Sequence, residues 1–504
     1  MVRQRTASWR RATARTVTGA ALGLLLTPLA GCGSGGSSQV PLVVIEDQAG
    51  IGATGLDRPL PDQLTRAATA QGLVAFDELG RVVPALADRW IVTDDGESYI
   101  FRLRGGVWRN CDPLTARAAK TALDAAMRAV RKSPLGLDLG AVDEVRVMAG
   151  RVIEIRLHRP MPHFLQLLAQ PELGLVHRKL GDGPMIADKR GTETRFTPLE
   201  PSRLGLPEVP DWNRRTRQLT MTVLPADKAV ARFNEGAVDL VLGGRIQDFP
   251  HSRSVGILRG TIQLDPVLGL FGLQVAKAEG LLADASLREA LAMAIDREAL
   301  IAPFGVSGWA PTTRMISPGI EGDLQSNPER WTDLPLAERR VRAAERIRRW
   351  LASEAGQGSA PPVSIWLPRG PGSDILFGRL AEDLRSVGVT ARRSDEPASA
   401  DLRLVDDVAR YPRPRWFLNR LSCAARSGLC DPAADALVAG AVQLDDPVRR
   451  NAMIAEAEAR ITAANLFIPF GPPIRWSLVR GNVEGFAPNN WGWHPLMPLA
   501  WHRK

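Results

Sequence analysis

Residue types capable of chemistry are spread thinly along these 504 residues. The six histidines are scattered, with no His-Glu-x-x-His helix, no Cys-x-x-Cys pair and no Gly-x-Ser-x-Gly elbow, and no glycine loop has the spacing that cradles a phosphate. Adjacent carboxylates at Asp94-Asp95 and Asp445-Asp446 sit where turns and helix caps use them. No catalytic residue, metal ligand or cofactor site is assigned, and the expectation is that the chain is not an enzyme. Two other groups stand out. Trp491, Trp493 and Trp501 cluster with Asn489 and Asn490 in the tail, where such rings either stack on a sugar, peptide or heterocycle or fill a core. Cys423 and Cys430 are separated by six residues that can turn, which favours a local disulfide in an oxidising compartment. Cys111 then has no mate and reads as a small buried apolar side chain.

The compartment follows from the first residues. Arg3, Arg5, Arg10, Arg11 and Arg15 precede a mostly apolar run from Val17 to Ala30, and Leu29-Ala30-Gly31-Cys32 ends it. That order is a signal peptide over 1–31, and the run is shorter than the roughly twenty residues a spanning helix needs. Leu-Ala-Gly-Cys resembles the lipobox of bacterial lipoproteins, which makes Cys32 an acylated mature N-terminus and 32–39 a flexible Gly/Ser tether. Gly33 rather than aspartate follows the cysteine, so by the Gram-negative sorting pattern either membrane of the envelope can hold the anchor. Without 1–31, 59 basic residues face 55 acidic ones, a balance that gives nucleic-acid binding no support. The mature length exceeds one core and suggests two or three lobes.

Local patterns supply the elements. Val40 to Ile45 reads as a first strand, and Trp90 to Leu103 as a hairpin turning at Asp94-Asp95-Gly96. Val145 to Leu157 reads as a second hairpin, with an alanine-rich helix from Thr115 to Val130 between the two. Ser286-Leu287-Arg288-Glu289 has the form of a capping box and predicts a helix over about 287–302. Pro335 to Ser353 predicts another, with Val341, Ala344, Ile347 and Leu351 inward, and Asp446-Pro447 begins a third. Stretches 357–362 and 369–373 read as loops. Strands and helices alternate over 219–242 and 363–405, which favours α/β lobes.

Several segments, in order, resemble extracellular solute-binding protein family 5, the dipeptide- and oligopeptide-binding lipoproteins and periplasmic proteins of ABC importers. Pro84-Ala85-Leu86-Ala87-Asp88-Arg89-Trp90 and Tyr99-Ile100-Phe101-Arg102-Leu103-Arg104 carry the strongest likeness, although Arg109-Asn110-Cys111-Asp112 replaces the usual His-Asp-Gly-like turn. Gly181-Asp182-Gly183-Pro184-Met185 looks like the family's Gly-Thr-Gly-Pro-Tyr, Phe233 to Asp239 like its Asn-Gly-Glu-Val-Asp segment, and Arg288 to Leu300 like its Arg-Gln-Ala-Leu helix. The resemblance implies an α/β fold of the periplasmic-binding-protein type II class (cluster C), with two lobes around a ligand cleft plus an extra domain. Lobe I would comprise 40–72, 185–270 and 476–504, the extra domain 73–184, and lobe II 271–475, with hinges near 270 and 475. The implied partners are a small-molecule or peptide-like ligand and ABC permease subunits in the inner membrane, with the protein a monomer anchored by lipid.

The same resemblance selects the site. Peptide-binding members carry an aspartate for the ligand ammonium within a segment like Ala-Asp-Tyr-Pro-Asp-Pro, and here that stretch is Ala409-Arg410-Tyr411-Pro412-Arg413-Pro414-Arg415-Trp416. Arg410 and Arg413 stand at acidic positions, and their planar donor forks suit carboxylate or phosphate rather than an amine. Arg410, Tyr411, Arg413, Arg415 and Trp416 are therefore candidate ligand contacts, with Gln274, Glu46, Trp491 and Trp493 as further cleft candidates. The alternative for the arginines is solvent, or pairing with Asp406 and Asp407 just upstream. Function reads as solute capture for import, against a sensory or interaction protein on the same fold with a diverged cleft, or a secreted hydrolase lacking a visible nucleophile.

Overall fold

The computed structural model describes residues 39–46, 59–255, 261–354, 356 and 362–502. The leader, Cys32, most of the tether and nearly all of the 357–362 loop lie outside them.

Strand Gln39–Ile45 is apolar along most of its length because both its faces are covered. It runs parallel to Gln218–Leu224 on one side and Leu240–Arg245 on the other. These three occupy the middle of a seven-stranded sheet, in the order Met185–Arg190, Glu193–Pro198, Gln218–Leu224, Gln39–Ile45, Leu240–Arg245, Arg475–Val479, Ile262–Asp265. The sheet thus gathers strands from three distant stretches of chain. A second sheet of five strands has the order Ala391–Ser394, Val363–Trp366, Leu402–Val408, Gly269–Val275, Phe467–Gly471. The chain passes between the two sheets twice, from Asp265 to Gly269 and from Gly471 to Arg475.

The two hairpins form a four-stranded antiparallel sheet, ordered Ala87–Val92, Ser98–Leu103, Val152–Leu157, Val142–Ala149. Gly96 turns the first hairpin in the left-handed region at φ 71°, and Asp95 accepts from Thr93 Oγ1 and the Glu97 amide. Helix Ala116–Val130 is capped by Thr115, whose hydroxyl accepts from the Ala118 amide at 3.2 Å. The apolar interior under this sheet continues without a break into Tyr411, Trp416, Phe417 and Leu418 and the helices that follow.

Four local expectations change. The helix predicted over 287–302 is two helices, Ala285–Ala294 and Arg297–Ile301. Asp284 caps the first, while Glu289 is committed to Arg330 and Arg346 rather than to a capping box. Asp296 caps the second, and its own amide is held by Asp383, which fixes the break. Helix Leu336–Leu351 turns Ala343 and Ile347 inward and leaves Val341 56% exposed, because its inner stripe is narrow. The 369–373 loop is already helix from Pro371, a residue suited to a first turn. Cys111 is exposed, at φ 66° in the turn that ends the Trp108–Asp112 segment, and is not the buried apolar side chain expected.

Candidate functional site

The end of strand Leu402–Val408 carries two acids into the interior. Asp406 accepts from Arg475 at 2.8 Å, joining the five-stranded sheet to the seven-stranded one, and its backbone carbonyl takes a second bond from the same guanidinium at 2.8 Å. Asp407 pairs with Arg420. Arg245, at the end of its own strand, donates to the Asp406 carbonyl at 3.5 Å. Burial and the neighbouring Arg475 lower its pKa, against the pull of Asp406, Asp407 and Glu46. One oxygen on each aspartate, Oδ2 of Asp406 and Oδ1 of Asp407, has no hydrogen-bond partner. Reasoning from sequence missed this belt as a site. The signal for it was two adjacent acids inside a strand otherwise patterned for burial.

Arg410, Arg413 and Arg415, which follow, are each turned to partners other than those aspartates. Arg410 reaches the four-stranded-sheet region, where Nη2 and Nη1 donate to the two oxygens of Glu172 at 2.7 and 3.1 Å and Nη1 also reaches Gln170 at 3.2 Å. Burial alone would raise the Glu172 carboxyl, but the charge and hydrogen bonds of Arg410 outweigh it and hold the pKa below the usual range. Glu172 is itself fixed, because Arg66 on helix Leu60–Thr69 donates to the carbonyls of Pro171 and Gly174 on either side. Tyr411 is fully buried, with its hydroxyl donating to Asp138 at 2.7 Å, and Asn419 donates to the same carboxylate oxygen. Burial raises the Asp138 carboxyl and drives the Tyr411 hydroxyl well above its ordinary value. His163 stacks on Tyr411 with ring centroids 4.0 Å apart, and neither ring nitrogen has a partner. Burial, with Arg413 and Arg415 adding positive charge, lowers its pKa to about 3. Arg415 donates to the Leu137 carbonyl, Arg413 pairs with Glu321, and Trp416 packs edge-on against Phe417.

The other sequence candidates lie apart from this cluster. Trp491 packs against Phe76 and donates to the Gly80 carbonyl, while Trp493 is partly buried between two core regions. Gln274 is buried in strand Gly269–Val275. Gly428 lies so near it that a side chain at 428 would overlap it. Glu46 is half-buried just beyond the first strand. Cys423 and Cys430 are joined in a disulfide.

A hollow of about 480 Å³ opens at the carboxyl ends of strands Val363–Trp366 and Ala391–Ser394. Trp366 lines it with Arg369, Asp374, Arg393, Asp395 and Glu396, charges of both signs. Arg393 is committed to Asp374 and the Pro368 carbonyl. The adjoining helix Pro371–Arg385 starts hard against the other sheet's side of the molecule. A Cβ at Gly370 would come 2.6 Å from the Gln247 carbonyl oxygen, and one at Gly372 2.1 Å from that of Ile246. All the residues lining the hollow, within 366–397, belong to the five-stranded sheet's side, and it lies outside the carboxyl ends of strands, a common position for ligands in α/β sheets. No cluster of metal-ligating side chains occurs among the described residues.

Comparison with known proteins gives these features a setting. Residues 81–347 match the model of the bacterial extracellular solute-binding proteins, family 5. The chain is 26% identical over 475 residues to the probable deoxycholate-binding periplasmic protein YgiS of Escherichia coli K12, covering 83% of this chain and 85% of that protein. It is 23% identical over 466 residues to the periplasmic oligopeptide-binding protein OppA of Salmonella typhimurium, covering 83% and 84%. The structure of Haemophilus influenzae OppA complexed with RPPGFSPFR superposes with a TM-score of 0.76 at 17% identity, over 93% of this chain and 99% of that one. The fold is that of type II periplasmic binding proteins, α/β with several sheets.

Proposed function

The chain belongs to family 5 of the bacterial extracellular solute-binding proteins, and on that footing we propose that it is the lipid-anchored receptor of an ABC importer, capturing a peptide-like or other small solute, anionic ones included. In this reading 40–72, 185–270 and 476–504 form lobe I, 73–184 the extra domain and 271–475 lobe II, with the crossings at 265–269 and 471–475 as hinges. Cys32 carries the lipid, the receptor works as a monomer in the periplasm or envelope, and its partner is an inner-membrane permease. It performs no catalysis.

The observation that carries the proposal is the 480 Å³ hollow beside Trp366, which falls in the range of small-molecule sites and combines an aromatic wall with charges of both signs. Solute would sit there rather than on Arg410, whose guanidinium already has a carboxylate in Glu172. Mass spectrometry of small molecules released from natively purified protein tests this. A retained solute whose re-addition raises the melting temperature, with the rise abolished by Trp366→Ala, supports it. Absence of any retained or stabilising solute across a peptide and metabolite screen refutes it.

One observation favours the second reading, an envelope-anchored sensory or interaction protein on the same fold. Segment 409–420 is fastened to the 137–174 region by the protein's own side chains, so the arginines at the family's acidic positions are spent on internal contacts. Genes for a permease and ATPase beside this one would favour import, and their absence the second reading.

A further inference from the structure

Glu172 behaves toward Arg410 as a bound ligand would. Its carboxylate is 3% exposed, takes two guanidinium bonds at 2.7 and 3.1 Å from a residue 238 positions away, and shares that guanidinium with Gln170. Arg413 and Arg415 lie close enough to depress His163, so the locus is electropositive apart from Glu172, Asp138 and the rim residue Glu321. We infer that the 409–420 segment and the 163–174 segment enclose a latent carboxylate-binding site that the protein's own Glu172 occupies. The chemistry is that of a forked donor gripping a planar anion. A free carboxylate must displace one that is tethered in place, and the Arg66 clamp on the Pro171 and Gly174 carbonyls keeps that tether short. The site is therefore closed to external anions unless Glu172 leaves. This occupancy does not depend on which solute, if any, the Trp366 hollow takes.

Truncation with chemical rescue tests it. Glu172→Ala removes the carboxymethyl group that acetate can replace. Melting temperatures of the mature protein, E172A and E172A/R410Q are compared in sodium acetate and in sodium chloride at equal ionic strength. E172A is expected to melt lower than the natural chain and to regain about 1–3 °C specifically in acetate. The natural chain and E172A/R410Q should show no acetate-specific rise. An acetate effect of equal size in all three, or none in E172A, overturns the inference. Should E172A not fold, the isosteric Glu172→Gln serves in a double-mutant cycle with Arg410→Gln. The double variant then melts no lower than R410Q alone, whereas additive losses refute the pairing. Loss of rescue while the hollow still retains a solute would sink this inference and leave the receptor reading standing. Rescue without any retained solute would do the reverse.

Discussion

His163→Phe should remove an acid-sensitive component of stability without weakening the protein at neutral pH. The imidazole lies flat on Tyr411 at 4.0 Å, and both its nitrogens are without hydrogen-bond partners, so a phenyl ring forfeits no bond and keeps the stack. The groups around it are Tyr411, whose hydroxyl is spent on Asp138, and the guanidinium groups of Arg413 and Arg415. Its folded pKa of about 3 lies below the ordinary 6.5, so below pH 6.5 the unfolded chain binds a proton that the folded one refuses. The contribution of the neutral ring is thus complete above pH 6.5 and is lost progressively as pH falls toward 3. Between pH 7.5 and 5 that loss is about 2 kcal/mol, and a folded pKa one unit higher changes it little. Asp383 works in the opposite direction. Burial raises its carboxyl to about 6, so its penalty as an anion is relieved on acidification, by about 1.5 kcal/mol over the same interval. The natural protein's pH dependence mixes these two with other shifted carboxyls, and only the difference between it and H163F isolates the histidine. Urea unfolding of both proteins at pH 7.5 and 5 supplies that difference. H163F should be at least as stable at pH 7.5 and relatively about 2 kcal/mol more stable at pH 5. Equal pH dependence in the two proteins, or a His163 proton resonance titrating near 6.5, would refute the reasoning.

Three further outcomes follow from the same geometry. Glu172→Ala and Arg410→Ala should each cost about 3–5 kcal/mol, since each leaves a buried charge without its partner, and a denaturation double-mutant cycle should find the pair cheaper to lose together than separately. Reducing or replacing the Cys423–Cys430 bridge should cost only about 2 kcal/mol, because the closed loop is short, and calorimetry under matched redox conditions reads it directly. Gly269→Ala should cost about 3 kcal/mol or more by urea unfolding. Its Cβ would fall 1.9 Å from the Asp407 carbonyl oxygen, so the strand pair Gly269–Val275 and Leu402–Val408 must separate locally.

What the sequence made legible was whatever rests on neighbours in the chain. Asp95-Gly96 fixed a hairpin, Thr115 a helix start and Asp446-Pro447 another, because each feature needs contacts only two to four residues away. Local signals failed where two of them competed. Asp284 took the cap that the Ser286 to Glu289 pattern suggested, and Glu289 was drawn off by Arg330 and Arg346. The site was harder still. Which carboxylate answers Arg410 is decided across 238 residues, and the adjacent Asp406 and Asp407, the obvious local partners, are taken by Arg475 and Arg420. Cys111 misled for a different reason. It sits at positive φ in a short surface turn, and the place of that turn, not the side chain's hydrophobicity, sets its exposure.

Were the proposed receptor to open at its chain crossings, the contacts joining 409–420 to 137–174 would contribute differently. When the two surfaces part, Arg410 and Glu172 both regain water, so the strong attraction between them is largely offset by hydration that closure had removed. The apolar contacts have no such compensation. Tyr411 stacks on His163, and Trp416, Phe417 and Leu418 lie inside the same continuous core, so parting the surfaces would return apolar area to water. In the proposed receptor, closure would then rest on the rings and aliphatic side chains, while the ion pair would fix register and deny the guanidinium to outside anions. The Arg475–Asp406 contact differs, since Arg475 lies at the chain crossing itself and would stay engaged were the more distant surfaces to separate about it. The proposed solute position beside Trp366 is independent of all three: the charge belt at the crossing, the apolar face and the carboxylate already in place on Arg410 leave its lining residues uninvolved.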